Sequence, residues 1–123
     1  MTPKIEVKRV YERPMPEDGR RVLVERLWPR GVRKDALAMD LWAKDLGASE
    51  TLRQWYGHVP ERWPEFRRHY RSELVAHPER WLPLVEFARE GTLTLLFSAR
   101  DASRNNAVAL REFLLEQLGP ATD

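Results

Sequence analysis

The sequence predicts an α/β fold, a single domain spanning 1–123 with a small, mostly parallel sheet flanked by helices. Three observations lead there. Residues 92–99, TLTLLFSA, form an almost unbroken apolar run between Gly91 and charged residues, as in a strand covered on both faces. Residues 5–11, IEVKRVY, set Ile5, Val7 and Val10 among charges, as a strand at a sheet edge or with one wet face does. Between them lie segments whose apolar residues recur every three or four positions. Strands separated by such helices favour a parallel or mixed sheet.

Taken in order, the strand over 5–11 runs into RPMPEDGR, whose two prolines, Asp18 and Gly19 mark a loop. Residues 21–28 read as the second strand, which PRG ends. Residues 34–47, KDALAMDLWAKDLG, fit either one helix or a short helix followed by an extended piece. Leu37, Leu41, Trp42 and Leu46 share a broad helical face, while Asp40 and Gly47 weaken it. SETLRQWYG follows as a helix with Ser49 as N-cap and Gly57 past its end. Pro60 then opens a helix with Trp63, Phe66, Tyr70 and Leu74 on one stripe. The next runs over 78–90, with Trp81, Leu84, Val85 and Ala88 inward and Gly91 closing it. The last spans about 102–118, carrying Ala107, Leu110, Leu114 and Leu118, and Gly119 and Pro120 stop it. No internal repeat or low-complexity segment interrupts this order.

Composition bounds the function. With 123 residues, 42% hydrophobic, and five tryptophans, the chain can bury a core of its own. It has no cysteine, which excludes disulfides, thiolate metal ligands and thiol nucleophiles. No segment approaches the roughly 20 apolar residues of a membrane span, and the N-terminus has no secretory h-region. A soluble, cytoplasmic protein is expected. Charge is balanced, 21 Lys+Arg against 19 Asp+Glu, and the signs are interspersed. Only Lys4, Lys8, Lys34 and Lys44 are lysines; the remaining cations are arginines, whose planar forks suit carboxylates and phosphates as well as surface ion pairs.

In an open α/β sheet, ligands bind beyond the carboxyl ends of the strands. The second strand ends in Glu25, Arg26, Trp28, Pro29 and Arg30, the third in Ser98, Arg100, Asp101, Ser103, Arg104, Asn105 and Asn106. If these strands are parallel neighbours, both clusters share one edge and make an anion site. Arg26, Arg30 and Arg100 then hold a phosphate or carboxylate, with Arg104 beside them. Asn105 or Asn106 fixes a polar edge and Trp28 supplies an apolar wall. Asp101 and His58, the latter in the loop of WYGHVPERW, are the candidates for proton transfer. Each residue has a plainer role available: Arg26 and Arg30 in ion pairs with Glu25 or Asp35, Asp101 or Ser103 as a helix cap. There is no P-loop, GxGxxG or GxSxG spacing, so neither a reaction nor a cofactor is specified. His69 and His77 lack ligand-spaced partners, and no metal site is expected.

A second class of function is a regulatory or interaction module that recognises a protein or nucleic-acid partner and does no chemistry. RWPEFRRHYR interleaves arginines with aromatics, as single-strand nucleic-acid surfaces do. The helical stripe turns the aromatics inward and leaves the arginines near Glu61, Glu65 and Glu73. A solvated helix face is expected there rather than a nucleic-acid partner.

Together, DGRRVLVERLWPRG, YGHVPERWPEFRRHYRSEL and GTLTLLFSARDASRNNAVALREFL resemble the YeaO-like proteins, small bacterial α/β domains grouped as a domain of unknown function. The resemblance covers about residues 8–118. It implies a fold class and a soluble bacterial protein, and no reaction or cofactor. Its polar motifs fall on Arg26, Trp28, Pro29, Arg30 and Gly31, on Gly57 and His58, and on Arg100, Asp101, Asn105 and Asn106. Glu25 stands where the family more often shows Asp, and Arg104 where it more often shows His. Chemistry that relied on that histidine would be lost here, whereas a binding role would survive.

Overall fold

The structure, a computed structural model, describes residues 4–119. Four strands, β1 (Ile5–Arg9), β2 (Arg20–Leu23), β3 (Leu41–Trp42) and β4 (Leu93–Phe97), form a sheet in the order β1-β4-β2-β3 with every neighbouring pair parallel. The α/β architecture with its parallel sheet is as the sequence predicts. The apolar run takes the place that needs it, since β4 pairs with β1 and β2 and all five of its residues are buried.

The helices are α1 (Glu50–Tyr56), α2 (Trp63–Ala76), α3 (Pro78–Glu90) and α4 (Asn106–Leu118). All four contribute to one core, on the face of the sheet presented by Ile5, Val22, Leu93, Leu95 and Phe97. The predicted stripes do the packing: Phe66, Tyr70 and Leu74 of α2, Trp81, Leu84, Val85 and Ala88 of α3, and Ala107, Leu110 and Leu114 of α4 are buried. The Ser49 hydroxyl accepts from the Leu52 N–H at 3.2 Å, and Gly57 closes α1 in the left-handed region, as predicted.

Among the described residues, no α-helix covers the opposite face. Leu23, Leu96 and Val10 are shielded there by Trp28, Val32, Leu37, Met39 and Trp42, most of them from the segment between β2 and β3. This explains where the ambiguous stretch over 34–47 goes. It forms no α-helix; it lays β3 on the edge of β2, with the Asp40 and Ala43 N–H groups donating to the Arg21 and Leu23 carbonyls at 2.7 and 2.8 Å. Burying Leu37, Met39 and Trp42 against a bare sheet face outweighs their helical propensity.

The same face holds a polar cluster near the start of β2. Asp18 pairs with Arg21 and with Lys8, the latter at 3.1 Å, and accepts from the Met15 N–H at 3.0 Å. Asp18 and Arg21 are buried. Gly19 follows with φ +62°, and a Cβ there would overlap the Thr92 carbonyl, to which the Arg20 N–H donates at 3.0 Å. The β1–β2 connection thus passes close to the start of β4, with one 3-10 turn at Pro16–Asp18 and no α-helix.

Two predicted boundaries move furthest, while β1 ends at Arg9, β4 spans Leu93–Phe97 and Pro60 opens a 3-10 turn that leads into α2. β2 stops at Leu23 rather than 28; the Val24 N–H still reaches the Leu96 carbonyl at 3.3 Å, after which Pro29 lacks a donor and the chain bends away. α4 begins at Asn106 rather than 102, because the Asn105 side chain caps the Val108 N–H at 3.0 Å and Asp101 folds the preceding residues into a turn. Pro120 lies outside the described residues. Among them, no helix is long and apolar enough to cross a membrane.

Candidate functional site

Beyond the carboxyl ends of β2 and β4 lies a cleft of about 500 Å³. Its size suits a small molecule. The adjacent parallel strands bring Glu25 and Ser98 together, the Ser98 hydroxyl donating to Glu25 Oε2 at 3.0 Å. The N-terminus of α4 adds Asn105 and Asn106, and α1 with the turn after it adds Arg53, Tyr56 and His58.

Of the sequence-predicted residues, Arg26, Trp28, Arg30, His58, Asn105 and Asn106 line this cleft. Several are already engaged. Arg26 lies across the segment after β3, its Nε donating to the Ala48 carbonyl at 3.1 Å and Nη2 to the Gly47 carbonyl at 2.9 Å. The Trp28 indole donates to the Val32 carbonyl at 2.6 Å and meets Trp42 edge-on at 5.2 Å, so it is a wall fixed by the second-face cluster. Asn105 caps α4, and Asn106 Nδ2 donates to the Val24 carbonyl at 2.7 Å, tying α4 to the end of β2. Arg30 is exposed, and among the described residues its guanidinium has no partner; its carbonyl accepts from the Tyr11 hydroxyl at 2.9 Å.

Arg100, Asp101 and Arg104 do not line the cleft. The Asp101 carboxylate accepts from the Ser103 and Arg104 N–H groups at 2.9 and 3.1 Å and from Arg104 Nε at 3.0 Å. The Ser103 N–H foremost, with Arg104, holds that carboxyl below the usual aspartate range. Asp101 is a turn-forming carboxylate, poorly suited to take up a proton near neutrality. Arg100 is exposed away from the cleft.

His58 does reach the cleft, by an unusual route. Its φ of +57° follows the +50° of Gly57, so two successive residues are left-handed. A non-glycine residue adopts this at a cost of about 1 kcal/mol, and such strain concentrates at functional sites. The imidazole sits beside Tyr56, ring centroids 5.8 Å apart. The Tyr56 hydroxyl donates to the Arg104 carbonyl at 3.1 Å, which fixes that ring between the turn and α1.

Glu25 and Arg53 are the residues whose importance only the fold reveals. Burial raises the Glu25 carboxyl above the usual range, against the opposing pull of the Ser98 hydroxyl, His58 and Arg53. Glu25 Oε1 and Arg53 Nε are both buried without a hydrogen-bond partner in the protein. Native proteins rarely leave such groups orphaned. Sequence reasoning noted Glu25 at the strand end but passed over Arg53. The available signal was helical spacing: residues 49, 52, 53 and 56 share the inward stripe of α1, and Arg53 is the cationic one among them.

A stability prediction follows. A carboxyl raised in the folded state favours folding at low pH and loses that contribution as pH rises from its unfolded value through its folded one. Glu25→Gln should therefore stabilise the free protein at neutral pH, on the order of 1 kcal/mol, and flatten stability against pH on the alkaline side of the ordinary glutamate range. Chemical denaturation of both proteins at several pH values measures this; equal stabilities throughout would contradict the burial argument.

The fold and site together define a four-stranded parallel α/β domain with an arginine-rich cleft at its strand ends. Residues 4–123 match the family model described as the inactive DUF488-N3 subclade, and the chain belongs to that family. It is 40% identical over 111 residues to the uncharacterized protein YeaO of Escherichia coli K12, covering 89% of this chain and 96% of that protein. It is also 40% identical over 112 residues to the uncharacterized protein Rv3073c of Mycobacterium tuberculosis H37Rv, covering 90% and 93%. The resemblance to the YeaO-like proteins is thereby borne out. No solved structure matches the chain.

Proposed function

We propose that the cleft binds a small anionic ligand, bearing phosphate or carboxylate, and that it does so without turning it over. The observation that carries this is the orphaned, buried Arg53 Nε at a cleft whose rim also holds Arg30 and His58. Among the described residues, three arginines line the space against a single carboxylate, so the local field favours an anion although the whole chain is nearly neutral. Two facts support binding rather than catalysis. Asp101, one of the two candidates for proton transfer, is off the cleft and locked in its turn. The family description calls this subclade inactive. His58 then acts as a hydrogen-bonding group toward the ligand rather than as an acid or base.

The alternative, a nucleic-acid surface on α2, has less support, because Arg67 and Arg71 pair with Glu112 and Glu116 of α4. Arg68 pairs with Glu65 on its own helix.

Thermal unfolding at fixed ionic strength tests the reading, with phosphate, sulfate, nucleotides, sugar phosphates and carboxylates as additives. A ligand at about 100 times its Kd adds about 2.7 kcal/mol, enough to raise the midpoint by several degrees. The rise should vanish in Arg53→Met, shrink in Arg30→Ala and persist in Arg100→Ala. A response to no anion, or one that survives Arg53→Met, sends the function to another surface.

A further inference from the structure

Resting on the anion-site reading, we infer that the ligand is an oxyanion carrying a hydroxyl on a neighbouring carbon, with Glu25 accepting from the hydroxyl while Arg53 and Arg30 hold the anionic group. Two orphaned atoms of opposite kind belong to residues that line one cleft, and this is what names the class. Arg53 Nε can only donate, so it calls for an acceptor; Glu25 Oε1 calls for a donor. A bare carboxylate, or a phosphate ester in its dianionic form, answers the first and repels the second. A ligand with both an anion and a donor satisfies the pair.

The donor is best neutral. Glu25 already feels the positive charge of the Arg53 guanidinium, so an ammonium placed there would face a like charge, whereas a hydroxyl would not. Ser98 sets the direction: by donating to Oε2 it occupies one oxygen of Glu25 and leaves Oε1 for the ligand. In the free protein both orphaned atoms are almost closed off from solvent, so binding turns the two side chains toward the cleft. The wall for the ligand's carbon skeleton is Trp28, with Phe66 and Tyr56 deeper.

The test uses matched pairs that differ by hydroxyls. Glycerate against propionate and glycerol 3-phosphate against propyl phosphate are titrated calorimetrically into the wild type, Glu25→Met and Glu25→Gln. The hydroxylated member of one pair should bind the wild type about tenfold more tightly, the usual effect of one hydrogen bond to a charged group. Which pair shows it distinguishes a carboxylate from a phosphate ligand. In Glu25→Met the preference should fall to about one, while the deoxy member binds at least as well as before because a carboxylate near the anion has gone. Glu25→Gln, which conserves shape and so keeps the test open if the methionine variant does not fold, should retain only part of the preference. Equal affinity within both pairs, or a preference unchanged in either Glu25 variant, overturns the inference and leaves the anion site standing. Failure of all four probes to bind overturns the inference, and the anion site then stands or falls on the thermal-unfolding series with the wider set of anions.

Discussion

Asp18→Ala will destabilise the protein by about 3–5 kcal/mol, the usual penalty for removing one partner of a buried ion pair. Asp18 and Arg21 are 8% and 6% exposed, and Lys8 joins them at 3.1 Å, so alanine would strand two cations under the second face of the sheet. It would also free the Met15 N–H that positions the crossing chain. For a domain of this size the melting midpoint should drop by roughly 10 °C or more. The combined variant Asp18→Leu, Lys8→Met and Arg21→Met should recover much of the loss, because the penalty lies in the unpaired charges. The pH dependence has the opposite sign to that of Glu25. Burial alone would raise the Asp18 carboxyl, but the Met15 N–H, Lys8 and Arg21 outweigh it and hold the group below the usual range. Its contribution is therefore present above the unfolded value and lost as pH falls through the folded one. Denaturant titrations between mildly acidic and strongly acidic pH would read this. A variant as stable as the wild type, with the same acid limb, would show the cluster to be worth nothing.

Gly47→Ala will cost about 1–3 kcal/mol and weaken anion binding as well. The glycine has an ordinary φ of −68°, so backbone freedom is not the reason for it. A Cβ there would overlap the Arg26 backbone N, where the chain leaving β2 passes directly beneath the segment following β3. The same crossing carries the two hydrogen bonds from Arg26 to the Gly47 and Ala48 carbonyls. Forcing the strands apart loosens both Arg26 and the wall of the cleft beside it. Gly91→Ala is the control, since its backbone is extended and a Cβ there meets nothing within 4 Å. The control should be neutral or slightly stabilising. Melting curves with and without the stabilising anion would separate the two effects. A Gly47→Ala protein that melts and binds like the wild type would mean that the crossing has slack.

The helices and the central strand were legible because their signals are local. Ser49 and Gly57 bracket α1, the prolines and stripes define α2 and α3, and an apolar run as long as 92–99 has few places to go other than the middle of a parallel sheet. The meeting of the two polar strand ends was also legible, given parallel neighbours: Glu25 and Ser98 do touch. Local pattern misjudged what depends on distant partners. The segment over 34–47 carries a helical pattern yet forms no α-helix, only a turn, β3 and a single 3-10 turn at Lys44–Leu46, since an uncovered sheet face needed its apolar side chains. Asp101 and Arg104 looked like site residues and instead satisfy each other, because a three-residue spacing lets a carboxylate close its own turn before any ligand arrives. Arg53 gave almost no signal, because its position matters only once α1 packs on α2 and brings it to the cleft that Glu25 also lines.

The sequence by itself determined an α/β chain with a doubly covered central strand, capped helices, no thiol chemistry and polar residues at two strand ends. Those properties follow from periodicity, caps and composition, which act within a few residues of each other. Only the tertiary structure decided which face stays free of helices, which arginines are engaged, and that an orphaned acceptor and an orphaned donor belong to one cleft. Such outcomes are set by competition among residues far apart in the chain for a limited number of hydrogen-bond partners and buried surfaces. No local pattern records who wins.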